Sequence, residues 1–158
     1  MTEVRIVNFP ETPIAALEHK GPPATEQQSV LEFVAWRRAN GLAPPAHRSY
    51  GIHYNDPSAV APEEYRVDLA TNFDGDVAPN EYGVVQKTLP ACRCAVARHH
   101  GSRQNVTTAA WLVREWLPGS GEALGTFPLI FHYINVGTEI REEEMLTDVY
   151  VPLADNPG

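Results

Sequence analysis

The sequence predicts an α+β domain: a tandem, pseudo-twofold pair of halves, each strand, strand, helix, strand, strand, with antiparallel sheets and a central cleft. Three observations predict it. First, the chain repeats residues eighty positions apart: Pro10 as Pro90, His19 as His99, Gly21 as Gly101, Trp36 as Trp116 and Asp68 as Asp148. His53-Tyr54 recurs as His132-Tyr133, one residue out of step. Second, each half begins and closes with stretches of alternating apolar residues. Third, each half carries one amphipathic stretch with a Trp after a His-x-Gly. Strands joined directly to strands imply antiparallel pairing, with the helices on one side. Duplicated halves pack about a twofold axis, and the seam between them is a natural cleft.

In order along the chain, Val4, Ile6 and Phe9 form a strand that stops near Pro10, and Ile14 to Glu18 form a second, ended by His19-Lys20-Gly21-Pro22-Pro23. Thr25-x-x-Gln28 is a capping-box pattern. It opens a helix with the face Val30, Phe33, Val34 and Arg37, flanked by Leu31 and Trp36 and stopped at Asn40-Gly41. Ala43-Pro44-Pro45 reads as a linker, Ser49 to Tyr54 as a strand and Asn55-Asp56-Pro57 as a turn. Tyr65, Val67 and Leu69 alternate with Arg66 and Asp68 in a half-buried strand. The segment Asn72 to Glu81 connects the halves, which run to about residue 75 and from about 82 to 153 within a single domain of residues 1–158. In the second half, Tyr82 to Leu89 and Cys92 to Arg98 are strands around Pro90. Asn105 caps a helix with the face Val106, Ala109, Ala110, Val113, Trp116 and Leu117, ended by Pro118-Gly119. Leu129 to Ile134 and Leu146 to Val151 are the last strands, and Ala154 to Gly158 is a fraying tail.

Composition narrows the function. A formal charge of −8, with Lys and Arg scattered, argues against direct nucleic-acid binding, which needs a basic face. No apolar run reaches membrane-spanning length, and the N-terminus has no secretory segment, so the expected compartment is the cytoplasm. Cys92 and Cys94 share one strand face and read as reduced thiols. The histidines show no same-element ligand spacing, so no metal site is expected. No nucleophile elbow and no phosphate loop is present, so no catalytic residue and no cofactor is assigned.

The ordered set of motifs resembles the GyrI-like small-molecule-binding domain family, which includes a DNA gyrase inhibitory protein and the effector-binding domains of multidrug-sensing regulators. The resemblance rests on Ala15 through Pro22, Gly51 through Pro57, Glu64 through Asp68, His99 through Ser102, Glu115 through Gly121, Pro128 through Asn135 and Thr147 through Leu153. It covers nearly the whole chain and implies tandem βαββ halves with an aromatic-lined pocket between them. In the family, a buried glutamate in a Pro-x-Phe-Glu-x-Tyr pattern pairs with lipophilic cations. Here the stretch reads Pro128-Leu129-Ile130-Phe131-His132-Tyr133, with Phe131 at the acidic position. A ring there still offers cation–π attraction of about 0.5–2 kcal/mol.

The candidate ligand-binding residues are Tyr54, Phe131, Tyr133, Trp116, Trp36 and Trp111. Tyr54 and Tyr133 are read as equivalent positions facing one cleft, and Phe131, two residues from Tyr133, shares its face. Trp36 and Trp116 sit near their helix ends, and Trp111 has Leu31 as its counterpart. Core packing is the competing role for each except Trp111, for which it is a helix-surface contact. His53 and His132 alternate away from their tyrosine neighbours. The expected function is a stand-alone module that binds or sequesters aromatic, lipophilic compounds, cationic ones included. The alternatives are a hydrolase of cyclopropane-bearing genotoxic compounds and a modulator of DNA gyrase. A gyrase or regulator partner follows by analogy only.

Overall fold

The computed structural model describes residues 2–44, 46–56, 59–103, 106–137 and 139–155; Pro45, Pro57, the expected cap Asn105 and the tail from residue 156 lie outside the described residues. The elements are β1 (Arg5–Phe9), β2 (Thr12–Lys20), α1 (Glu26–Ala39), β3 (Ser49–His53), β4 (Arg66–Asn72), β5 (Val85–Leu89), β6 (Cys92–His100), α2 (Thr107–Trp111), β7 (Leu129–Tyr133) and β8 (Leu146–Pro152). Each strand of the first half returns eighty positions later with the same length. No helix among the described residues is long and apolar enough to cross a membrane.

All eight strands form one antiparallel sheet in the order β1-β6-β8-β7-β3-β4-β2-β5. The expected pair of sheets is a single sheet because β3 and β7 pair across the middle, with Gly51 opposite Phe131. Those two residues are also each other's counterparts in the repeat, so the pseudo-twofold axis passes through that pair. The edge strands are exchanged between the halves: β1 pairs with β6, and β5 with β2. The sequence explains why. Only Pro10-Glu11 and Pro90-Ala91 separate these strands from the next. A two-residue hairpin turn requires positive φ that proline cannot adopt, so β1 cannot fold back on β2.

The sheet buries both faces. On the helix-free face, Phe9, Ile14, Ala16, Tyr50, Ile52, Ala70, Leu89, Cys94 and Ile130 form one cluster with no helix over it. The sheet itself supplies the cover, by curling into a half-barrel about this face. Most of that inner face is therefore occupied by core side chains. On the other face, α1 packs Phe33 and Trp36 on Ala15, Leu17 and Leu69. The α2 side packs Leu112 on Ala95, Ala97, Phe131, Val149 and Val151. Leu112 is fully buried, worth about 2 kcal/mol, yet it was absent from the helical face expected from sequence.

The helices enter in an unexpected way. Thr25 makes no side-chain cap; its hydroxyl donates to Pro22 O at 2.9 Å. Each helix start is held instead by a buried histidine of the preceding strand. His19 Nδ1 bonds Ser29 Oγ at 2.8 Å and Nε2 bonds Pro22 O at 3.2 Å. His99 repeats this with Thr108 Oγ1 at 2.9 Å and Ser102 O at 3.1 Å. The second hook spans one residue fewer, so α2 begins one position out of step. A π-helical turn over Leu112–Trp116 follows it, and the extra residue of that turn restores the register. Leu112 thus stands where Phe33 stands, Trp116 regains the place of Trp36, and the counterpart of Trp111 is Glu32 rather than Leu31.

Candidate functional site

The seam is the strip of sheet over β3 and β7, between α1 and the α2 helical segment. At its centre Gly51 has no side chain, and the room is taken from both sides. A β-carbon there would collide with the Tyr133 hydroxyl and lie 3.1 Å from His53 Nε2. His53 also packs on Phe131, with 4.0 Å between ring centroids and 33° between planes. His53 and Tyr133 are counterparts at the offset of eighty, so the axis brings together an unlike pair, an imidazole and a phenol.

The expected equivalence of Tyr54 with Tyr133 does not hold. The strands repeat at eighty, so the counterpart of Tyr54 is Ile134. A one-residue difference puts side chains on opposite faces of a sheet. Tyr54 lies on the helix-free side, its hydroxyl donating to Asp68 Oδ2 at 2.7 Å, with the Arg66 guanidinium 3.8 Å from its ring centroid. Lys87 Nζ donates to the same Oδ2 at 2.7 Å. The structure brings Phe131 and Tyr133 together and separates them from Tyr54.

Trp111 and Trp116 are half-buried against the cluster that contains Phe131 and Tyr133. Trp36 is elsewhere: it is 4 % exposed beneath α1, with its ring 6.0 Å from that of Phe33. Its outer edge borders a depression of about 320 Å³ against residues 78–82, the connection between the halves.

The seam's electrostatics follow from its dryness. His53 Nε2 is buried and has no hydrogen-bond partner among the described residues. Burial pushes the imidazole down to about 4, so it is neutral at pH 7. Burial pushes the Tyr133 phenol well above its ordinary value, the Glu26 charge adds to this, and Arg103 opposes it. The Arg103 guanidinium sits 5.1 Å from the Tyr133 ring centroid and donates to Thr147 Oγ1 at 3.0 Å and to Leu146 O and Asn135 O at 2.8 Å. Glu26, the first residue of α1, accepts from the Tyr65 hydroxyl at 3.1 Å. Its negative charge also raises the Tyr65 phenol, after burial.

The seam therefore presents a buried neutral imidazole, a phenol, an aromatic wall and a carboxylate at its margin. This set suits recognition of an aromatic ligand by stacking and a few polar contacts. No group of three or more His, Cys, Asp or Glu able to hold a metal occurs among the described residues. His53, Gly51, Tyr65 and Glu26 were missed in the sequence. Matching positions strictly at eighty, instead of searching for repeated residue types, would have aligned His53 with Tyr133 and Gly51 with Phe131.

A family model described as the GyrI-like small molecule binding domain matches residues 2–154. The chain is 38 % identical over 154 residues to a probable transcriptional regulator, YgiV, of Escherichia coli (strain K12), covering 96 % of each. It is 25 % identical over 155 residues to a DNA gyrase inhibitor of Erwinia billingiae (strain Eb661), covering 96 % of this chain and 97 % of the other. In fold it is similar to the C-terminal domain of EcmrR, with a TM-score of 0.75 at 13 % identity and 99 % of each chain covered. It is likewise similar to SAV2435 bound to tetraphenylphosphonium, with a TM-score of 0.59 at 12 % identity, covering 96 % of this chain and 94 % of that one. The axis pair, the exchanged edge strands and the full-length match lead to one conclusion: this chain belongs to the GyrI-like small-molecule-binding domain family.

Proposed function

We propose that this protein binds lipophilic aromatic compounds, cationic ones included, in the seam over Gly51 and Phe131. The observation that carries the reading is the convergence of His53 Nε2 and the Tyr133 hydroxyl over Gly51, where Nε2 is buried without a partner. A buried ring nitrogen without a partner costs about 1–3 kcal/mol, and a ligand that hydrogen-bonds to it recovers that cost. Phe131, Trp111 and Trp116 supply stacking surface, and movement of the Tyr133 ring opens room beside them. Glu26 is the carboxylate at hand for a cationic ligand, taking the part that a strand glutamate plays in relatives. A structural neighbour bound to tetraphenylphosphonium, an aromatic cation, supports this choice of ligand class.

The test is a titration of the protein with tetraphenylphosphonium, followed by tryptophan fluorescence and calorimetry. Saturable binding is expected, weakened about tenfold or more by Phe131→Ala or Tyr133→Ala. Glu26→Gln should weaken the cation while sparing a neutral triphenyl compound of similar size. Absence of binding, or binding indifferent to both seam variants, overturns the reading. A second reading, moderation of DNA gyrase, is favoured by the relative that carries that name. A supercoiling assay with added protein separates the two, because ligand binding alone leaves supercoiling unchanged.

A further inference from the structure

The helix-free face carries a recess that the seam does not use. A cavity of about 240 Å³ opens at the β1 edge and reaches across β6, β8 and β7 to the start of β3. Its polar lining includes the side chains of Arg5, Arg48, Tyr50, His132 and Tyr150. The walls are flat: the Tyr50 and His132 rings lie 5.1 Å apart, tilted by 37°, and Tyr150 meets Phe9 edge-on at 5.1 Å. Arg48 Nη1 donates to the Tyr50 hydroxyl at 3.4 Å. None of the described lining residues is acidic. Asp148, opposite His132 in the sheet, is engaged by Arg98 through two hydrogen bonds of 2.8 and 3.1 Å. Two guanidiniums without a lining acid run against the trend of a chain whose net charge is −8.

The repeat supplies an internal control. At the offset of eighty, Arg5 is matched by Val85, Arg48 by Pro128, Tyr50 by Ile130, His132 by Ile52 and Tyr150 by Ala70. The counterpart surface is apolar at all five positions. Ile52, Ala70 and Ile130 are at most 1 % exposed and belong to the core. Its one ammonium, Lys87, is held by Asp68 at 2.7 Å. Where the cavity has Tyr50, His132 and Tyr150, the other half closes with aliphatic side chains. Five polar or aromatic replacements converging on one cavity, on one side of the axis only, exceed what packing requires.

We infer that this cavity is a second binding site, taking a small aromatic carboxylate: the ring between Tyr50, His132 and Tyr150, the charge on Arg5 and Arg48. Guanidinium forks match carboxylate geometry and stack on aromatic faces. The volume suits a single ring, since drug-sized ligands occupy about 300–1,000 Å³. The inference stands apart from the seam reading, which concerns the opposite face and the opposite charge.

Benzoate is the probe, titrated into the ¹⁵N-labelled full chain beside benzamide and benzyltrimethylammonium. Saturable shifts are expected at the amides of Val7, Val96, His132 and Tyr150 with benzoate, about tenfold weaker binding with benzamide, and none with the cation. The double variant Arg5→Gln/Arg48→Gln changes two exposed side chains and keeps the fold, which its amide spectrum verifies; it should lower benzoate affinity about tenfold or more. Tyr50→Phe, which keeps the packing, should retain most of the affinity. Four outcomes each overturn the inference: no saturable benzoate binding, no preference over benzamide, undiminished binding in the double variant, or shifts mapping to the helix-bearing face.

Discussion

The hydroxyl of Tyr133 occupies the volume that a β-carbon on Gly51 would fill. The two residues come from different halves of the chain and meet because β3 pairs with β7 at Gly51–Phe131. Gly51→Ala forces the half-buried Tyr133 ring to move or the strands to shift. Overpacking of this kind costs about 1–3 kcal/mol. Tyr133→Phe removes the colliding atom, so the double variant should lose less stability than the two single changes together. Urea denaturation of the four proteins measures this coupling. Strict additivity would show that the hydroxyl has somewhere else to go at no cost.

His53 sets an acid limit on stability. Its folded value, about 4, lies below the ordinary 6.5 because burial disfavours the imidazolium. Between those values the unfolded chain takes up a proton that the folded chain refuses. The stabilising effect is therefore fully present above about pH 6.5 and is lost as pH falls toward 4, by up to about 3 kcal/mol. His132, lowered by burial and by Arg48, acts in the same direction, so some slope remains without His53. His53→Phe should flatten the decline in denaturant midpoint between pH 7 and pH 4.5. An unchanged slope in the variant would locate the acid sensitivity elsewhere.

The recurring aspartates differ in how they are held, which separates their variants. Asp68 is fully buried and takes Lys87 and Tyr54 on one oxygen, while Oδ1 has no partner among the described residues. Asp148 receives Arg98 on both oxygens, and that Arg98 side chain is 46 % exposed. Lys87→Met leaves a buried charge facing only a phenol and should cost about 2–4 kcal/mol, the upper part of the range discounted because the ammonium reaches solvent. Arg98→Met should cost about 1 kcal/mol or less. Thermal denaturation of both variants gives the order, and a reversed order would refute the assignment.

Much of the fold was readable because burial repeats. The strands announced themselves through alternation, and the offset of eighty organised them before any contact was known. What the sequence hid were relations between distant segments. The exchange of β1 and β5 depends on which partner is free once Pro10 and Pro90 forbid a hairpin. The register error at Tyr54 came from matching residue types, whereas the backbone repeats positions. The histidine hooks at His19 and His99 hold the helix starts where a capping box was expected, and the Thr25 hydroxyl bonds Pro22 O instead. Glu26 was invisible as a seam residue, since only the fold carries the start of α1 toward Tyr65 and Tyr133.

Arg37 links the first helix to the seam, and its replacement tests whether that link is geometric or only electrostatic. It is 5 % exposed, and burial lowers its guanidinium to about 10, still protonated at neutral pH. Nε donates to Leu42 O at 2.8 Å, Nη1 to Ser49 Oγ at 2.7 Å and Nη2 to His47 O at 3.1 Å. These bonds fasten the end of α1 to the first residue of β3, and Ser49 lies opposite Tyr133 in the sheet. A lysine keeps the charge but donates from a single point, whereas these acceptors surround a planar fork. Arg37→Lys should therefore cost about 2–3 kcal/mol, the worth of one or two charge-assisted hydrogen bonds. Hydrogen exchange at the Ser49 and Tyr50 amides should quicken by more than the global loss of stability explains. Near-native stability in Arg37→Lys would mean that a buried positive charge, not the fork, holds the helix to the strand.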